Sequence, residues 1–145
     1  EAAIVRTRSF MEELGKLGAV VHRGFWLSHA TAFDPLADLL GTKHWHKVQR
    51  AADRYVRHDI GAFARDTVGE AVLFSESRID GIIHLAAFDC TPEIITRNLL
   101  PQLRKDYRVP ILALAFDEHT GRQGLISRLE AFVDVLHKRR QRVRT

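Results

Sequence analysis

The sequence predicts an α/β protein. A short parallel sheet with a right-handed βαβ crossover is flanked by helices and preceded by a mainly helical N-terminal half. Three observations predict it. Two continuous apolar runs, 81–88 and 109–116, begin 28 residues apart, about the size of a βαβ unit. Neither run alternates polar with apolar residues, so each reads as a strand covered on both faces, the habit of parallel sheets. Between them, Thr91 and Pro92 open a helix whose apolar face is Ile94, Ile95, Leu99 and Leu103. Such a crossover is right-handed in nearly all sheets. The chain divides into residues 1–66, a mainly helical segment packing on the sheet, and residues 67–145, an α/β lobe with a basic C-terminal tail.

The elements follow in order. Ser9 and Glu12 have capping-box spacing, and Phe10, Leu14 and Leu17 line one helical face before Gly18. Val20-Val21 gives a weak strand signal. Asp34-Pro35 is an N-cap followed by proline at the first helical position, and Gly41 stops that helix. Thr42 starts a longer helix reaching Gly61, with Trp45, Val48, Ala52, Tyr55 and Val56 on its buried stripe. His44 and His46 are two apart, so they diverge on a helix and read as surface residues. Ala71-Val-Leu-Phe74 reads as buried helix, because Ile79-Asp80-Gly81 turns into the next strand. Pro101 removes the bond to the Arg97 carbonyl, so a kink or restart is expected there. Pro110 stands near the start of the second strand, where a strand tolerates it. Thr120-Gly-Arg-Gln123 reads as a capping box for a last helix with the stripe Leu125, Leu129, Phe132 and Leu136.

Composition narrows the function classes. The 145 residues are 46% apolar and 28% charged, ordinary for a soluble domain. No apolar run approaches the ~18 residues of a membrane span. The chain opens at Glu1 rather than Met, so a piece of a longer protein is expected. One cysteine excludes an internal disulfide and fits a reducing, cytoplasmic setting. The net charge is +4, but Lys138, Arg139, Arg140, Arg142 and Arg144 supply five positives in the last eight residues. Without them the remainder carries −1. They read as a solvated, fraying end that suits a helix C-terminus, so neither nucleic acid nor membrane is expected as a partner. There is no Gly-rich phosphate loop, CxxC pair or HExxH.

Both strands end in Phe-Asp. The first continues as Phe88-Asp89-Cys90-Thr91-Pro92-Glu93, the second as Phe116-Asp117-Glu118-His119-Thr120-Gly121. If the strands are parallel neighbours, both loops share the carboxyl edge of the sheet, the usual ligand crevice. Each leads into a helix N-terminus, whose free N–H groups favour anions and thiolates. The candidate pocket is therefore Asp89, Cys90, Thr91, Glu93, Asp117, Glu118, His119 and Thr120. An ordinary reading stands beside each. Asp89, Thr91, Asp117 and Thr120 can serve as helix caps, Glu93 suits a first helical turn, and His119 suits an exposed loop. A lone cysteine is as readily a small hydrophobe as a ligand or nucleophile.

These residues also carry a resemblance. Gly69-Glu-Ala-Val72, Gly81-Ile-Ile-His84, Phe88-Asp-Cys-Thr-Pro-Glu93, Asp106-Tyr-Arg-Val-Pro110, Phe116-Asp-Glu-His-Thr-Gly121 and Arg128-Leu-Glu-Ala-Phe132 occur in this order. The run resembles the C-terminal part of acyl-CoA dehydratase activase-related proteins, the CoA-substrate-specific enzyme activases. These are similar in turn to the D-component subunits of (R)-2-hydroxyacyl-CoA dehydratases. The resemblance covers roughly residues 67–140; residues 1–66 match only in helical character.

The resemblance implies stacked α/β domains and a low-potential iron–sulfur cluster of the 4Fe-4S class, held by cysteines from different domains. The family's cysteine in Phe-x-Cys-x-Pro corresponds to Cys90, which inherits a cofactor-binding, metal-ligand role. The resemblance further implies ATP-driven electron transfer, with an ATP-dependent activase or dehydratase subunits as partners and acyl-CoA as the ligand. The whole protein is then a 2-hydroxyacyl-CoA dehydratase-type lyase or its activase. Cubane clusters take several thiolates, and this chain has one. The other ligands must come from other domains of the parent chain or a second copy, and the chain alone is expected to be metal-free and inactive. Asp89 stands where many relatives carry a small residue. Two other readings stay open: a non-catalytic domain that docks an activase or dehydratase partner, and a thiol enzyme using Cys90 with His119 as base.

Overall fold

In a computed structural model, residues 10–24, 43–58, 60–61, 63–117 and 121–144 are described. Residues 10–16 are helical (α1). They are followed by α2 (Lys43–Ala52), α3 (Ala64–Glu76), β1 (Ile82–Ala87), α4 (Thr91–Tyr107), β2 (Ile111–Phe116) and α5 (Arg122–Arg144). The two strands pair in parallel, from Ile82 opposite Ile111 to Ala87 opposite Phe116. This is the α/β class the apolar runs predict, with a helix between the strands in the chain. The helix expected over 71–74 is present as part of α3, which also runs across the 66/67 boundary.

Alternation along the strands sorts their side chains onto two faces. Ile83 and Leu85 of β1, with Leu112, Leu114 and Phe116 of β2, face a cluster of Leu14, Leu125, Leu129 and Val133 from α1 and α5. Phe10 stacks on Phe116 with ring centres 5.6 Å apart. Ile82 and Ile111 face the opposite way, onto Ala71, Val72, Leu103 and Val109. Outside that layer, α2 lies along α3. Gly69 makes this approach feasible, since a methyl there would lie 2.1 Å from the Val48 carbonyl oxygen. Polar bonds fix the register of the pair: Arg65 to Asp53 Oδ1 at 2.6 Å, Gln49 to Asp66 at 2.8 Å, and His44 to Glu70 at 2.8 Å. Burial holds the Asp66 carboxyl above its ordinary range.

Several expectations are corrected. The helix starting near residue 42 stops at Ala52, not Gly61. The N–H groups of Tyr55 and Val56 both donate to the Ala52 carbonyl, and this turn buries Val56 beside Ala52 and Val68. Trp45 leaves the buried stripe, which narrows to Val48 and Ala52; it is exposed and meets His46 edge-on. Pro101 does not restart α4, which runs unbroken from Thr91 to Tyr107. Pro101 faces solvent, where water can satisfy the freed carbonyl, while Leu100 and Leu103 hold the helix on the sheet. The basic C-terminal residues continue α5 as far as Arg144. Arg139 donates to the Arg108 carbonyl, and Arg140 lies 3.8 Å from Asp80. The helix expected after Asp34 and the capping residue Thr120 lie outside the described residues; Val20-Val21 forms no strand.

Candidate functional site

Parallel pairing places both Phe-Asp ends on one edge, and the Phe88 N–H donates to the Phe116 carbonyl at 2.8 Å. Beyond Phe88 the chain reverses within two residues. Asp89 adopts a left-handed conformation (φ 60°), which its short polar side chain tolerates better than most. That reversal consumes residues 88 and 89 and leaves Cys90 as the extended N-cap of α4. Thr91 is therefore inside the helix rather than its cap, and no side chain caps this N-terminus. The Ile94 N–H donates to the Cys90 carbonyl at 2.9 Å, closing the first turn.

Cys90 is a free, partly buried thiol. Around it lie exposed apolar side chains: Phe88 at 62%, Ile94 at 45% and Ile95 at 38%. Asp89 and Thr91 are exposed. Asp117 is half-buried and has a partner of its own. Glu118, His119 and Thr120 lie outside the described residues, and with them the His119 base of a thiol-enzyme reading.

Glu93 turns inward. One of its carboxylate oxygens accepts from His84 Nε2 at 2.7 Å, and the other lies 3.5 Å from the Thr67 hydroxyl. That hydroxyl donates to the Phe63 carbonyl at 3.0 Å. His84 comes from the middle of β1 and is only 5% exposed. With Nε2 donating, the other ring nitrogen, Nδ1, is buried with no partner among the described residues. A buried ring nitrogen left unpaired costs about 1–3 kcal/mol. β1, the first turn of α4 and the start of α3 thus meet at one carboxylate, three residues from the thiol. Thr96, wholly buried one turn later, donates to the Pro92 carbonyl at 3.1 Å.

The sequence alone does not join His84 to Glu93. The signal for the pair is a histidine inside an otherwise apolar strand run, followed nine residues later by a glutamate in a first helical turn. Read separately, each has an ordinary explanation; only parallel packing of α4 on the sheet joins them.

Among the described residues no three His, Cys, Asp or Glu side chains gather as a metal-binding group. The described donors therefore do not fit a complete iron–sulfur cluster, and Cys90 can supply one thiolate at most. No described helix is long and apolar enough to cross a membrane. No family model, curated protein or solved structure matches this chain.

Proposed function

We propose that this chain is part of an acyl-CoA dehydratase/activase-related iron–sulfur protein, in which Cys90 contributes one ligand to a cluster shared with other domains. The observation that carries the reading is the placement of Cys90. It stands at the carboxyl edge of a parallel sheet and at the open N-terminus of a 17-residue helix. Helix N-termini and sheet carboxyl edges are where anionic groups are held. The ordered motifs from Gly69 to Phe132 carry the resemblance to that family. On this reading the remaining thiolates, the ATP-dependent partner and the acyl-CoA belong to other domains or subunits.

The test is anaerobic reconstitution of the full-length protein with iron and sulfide, comparing wild type with Cys90→Ser. The serine variant should lose iron and the visible charge-transfer bands. Unchanged iron content and spectrum sink the reading.

One observation favours a second reading, a non-catalytic docking domain. Phe88, Ile94 and Ile95 expose apolar surface around Cys90, as an interaction site does. In the same experiment, a Phe88→Ser variant that keeps its iron but no longer associates with the partner subunit favours docking at this edge.

A further inference from the structure

A groove lies at the opposite end of the sheet from Cys90. The amino end of β2, the C-terminal end of α4 and the middle and C-terminal part of α5 line this open groove of about 350 Å³. Its floor is apolar, with Ile111 from β2 and Phe132 and Val135 from α5. Val135 is 53% exposed. Its polar lining is three arginines: Arg104, Arg108 and Arg139. No carboxylate lines the groove. Arg139 is engaged with the Arg108 carbonyl. Arg104 and Arg108 have no acidic partner among the described residues.

Helix capping explains part of this arrangement. Cations suit a helix C-terminus, so Arg104 and Arg139 gain from the end of α4 without any ligand. Capping accounts for the Arg108 backbone but leaves its side chain without an acidic partner among the described residues. Arg108 is the αL C-cap residue of α4, with φ 52°, a position glycine or asparagine usually fills because a Cβ is disfavoured there. The same conformation recurs at Arg78 after α3 (φ 58°), so what marks this groove is its charge: three exposed arginines and no carboxylate, with Arg104 and Arg108 lacking an acidic partner among the described residues. Guanidinium forks match phosphate oxygens better than ammonium groups do. The volume lies at the small end of the range for small-molecule sites, and the apolar floor has room for a ring or short chain.

We propose that this groove binds a small phosphate-bearing ligand with an apolar group, the phosphate held by Arg104 and Arg108 and the apolar group lying on Phe132 and Val135. The site is separate from Cys90 and does not depend on the cluster reading.

The experiment is calorimetry and thermal unfolding of the chain with phenyl phosphate, with phenylacetate as the carboxylate arm and potassium chloride at matched ionic strength as the screening control. Phenyl phosphate should bind saturably and raise Tm; chloride should not. Arg104→Gln should weaken binding by about tenfold or more, the scale of losing a charge-assisted fork. Arg108→Gly should keep or raise the ligand-free Tm, because glycine relieves the backbone, yet lose the response to phenyl phosphate. Arg50→Gln, on α2, should respond like wild type. The proposal is overturned if phenyl phosphate does not bind, if Arg108→Gly responds like wild type, or if phenylacetate or chloride acts equally well.

Discussion

The two faces of this sheet are built from the same two strands and solve different problems. The face under α1 and α5 is a dry cluster of leucine, valine and phenylalanine, with Leu114 fully buried at its centre. The face under α3 and α4 has an apolar layer too, yet carries His84 and Thr96, the two buried polar residues of the described chain. Its rim is stitched by Tyr55 to Asp106 at 2.7 Å and Tyr107 to Glu76 at 3.3 Å. The dry face depends on shape and volume. The polar face depends on specific partners, and it is the one that positions the helix carrying Cys90 at its N-terminus.

The largest effect is expected on the dry face. Leu114→Ala removes a fully buried side chain from contact with α5 and should cost about 4 kcal/mol. Denaturant unfolding measures it, and the slope of the transition should stay near the wild-type value. A loss below about 1 kcal/mol breaks the comparison, since this face would then not be closely packed.

The next effect separates the faces by kind. Glu93→Gln keeps the volume but removes the charge opposite a buried histidine, and should cost roughly 2 kcal/mol. A double change, His84→Leu with Glu93→Leu, removes both partners and should recover most of that loss, as paired polar deletions often do. No such recovery is expected for a second truncation on the dry face. If the double variant folds well but the amide of Cys90 exchanges faster with solvent, the pair serves to position the start of α4 rather than to add stability.

How much of this was legible in the sequence follows from how local each signal is. The strands at 82–87 and 111–116 and their parallel pairing follow from continuous apolar runs separated by a helix-length segment. α5 follows from periodicity, and the 71–74 part of α3 from the turn at Ile79-Asp80-Gly81 that leads into the next strand. Errors arose where a local rule met tertiary packing. Thr91-Pro92 looks like a cap followed by the first helical residue, but the left-handed turn at Asp89 moves the cap one residue back, to Cys90. Pro101 breaks one backbone bond, yet burial of Leu100 and Leu103 outweighs it. The site was half visible. Cys90 at the strand end could be placed from spacing alone. The partnership of His84 with Glu93 and the gathering of Arg104, Arg108 and Arg139 could not, because each joins elements whose contact exists only after folding.

The smallest effect is a matter of pH and belongs to the polar face alone. Burial, followed by the bond to Asp106, holds the Tyr55 phenol above its ordinary value near 10. Burial, with Glu76 beside it, raises Tyr107 as well. A phenol that holds its proton more tightly folded than unfolded contributes its full stability below pH ~10 and loses it as the pH rises through the folded value. Stability should therefore decline above pH ~10, with Tyr55 carrying the larger share. Tyr55→Phe should cost about 1 kcal/mol at neutral pH, the usual worth of one partly exposed hydrogen bond, and make the alkaline decline shallower. Leu114→Ala should shift the whole pH profile down without changing its slope. Parallel profiles for Tyr55→Phe and wild type above pH ~10 would mean that this phenol ionises as freely in the folded chain as in the unfolded one, and the polar face would lose its claim to a pH response of its own.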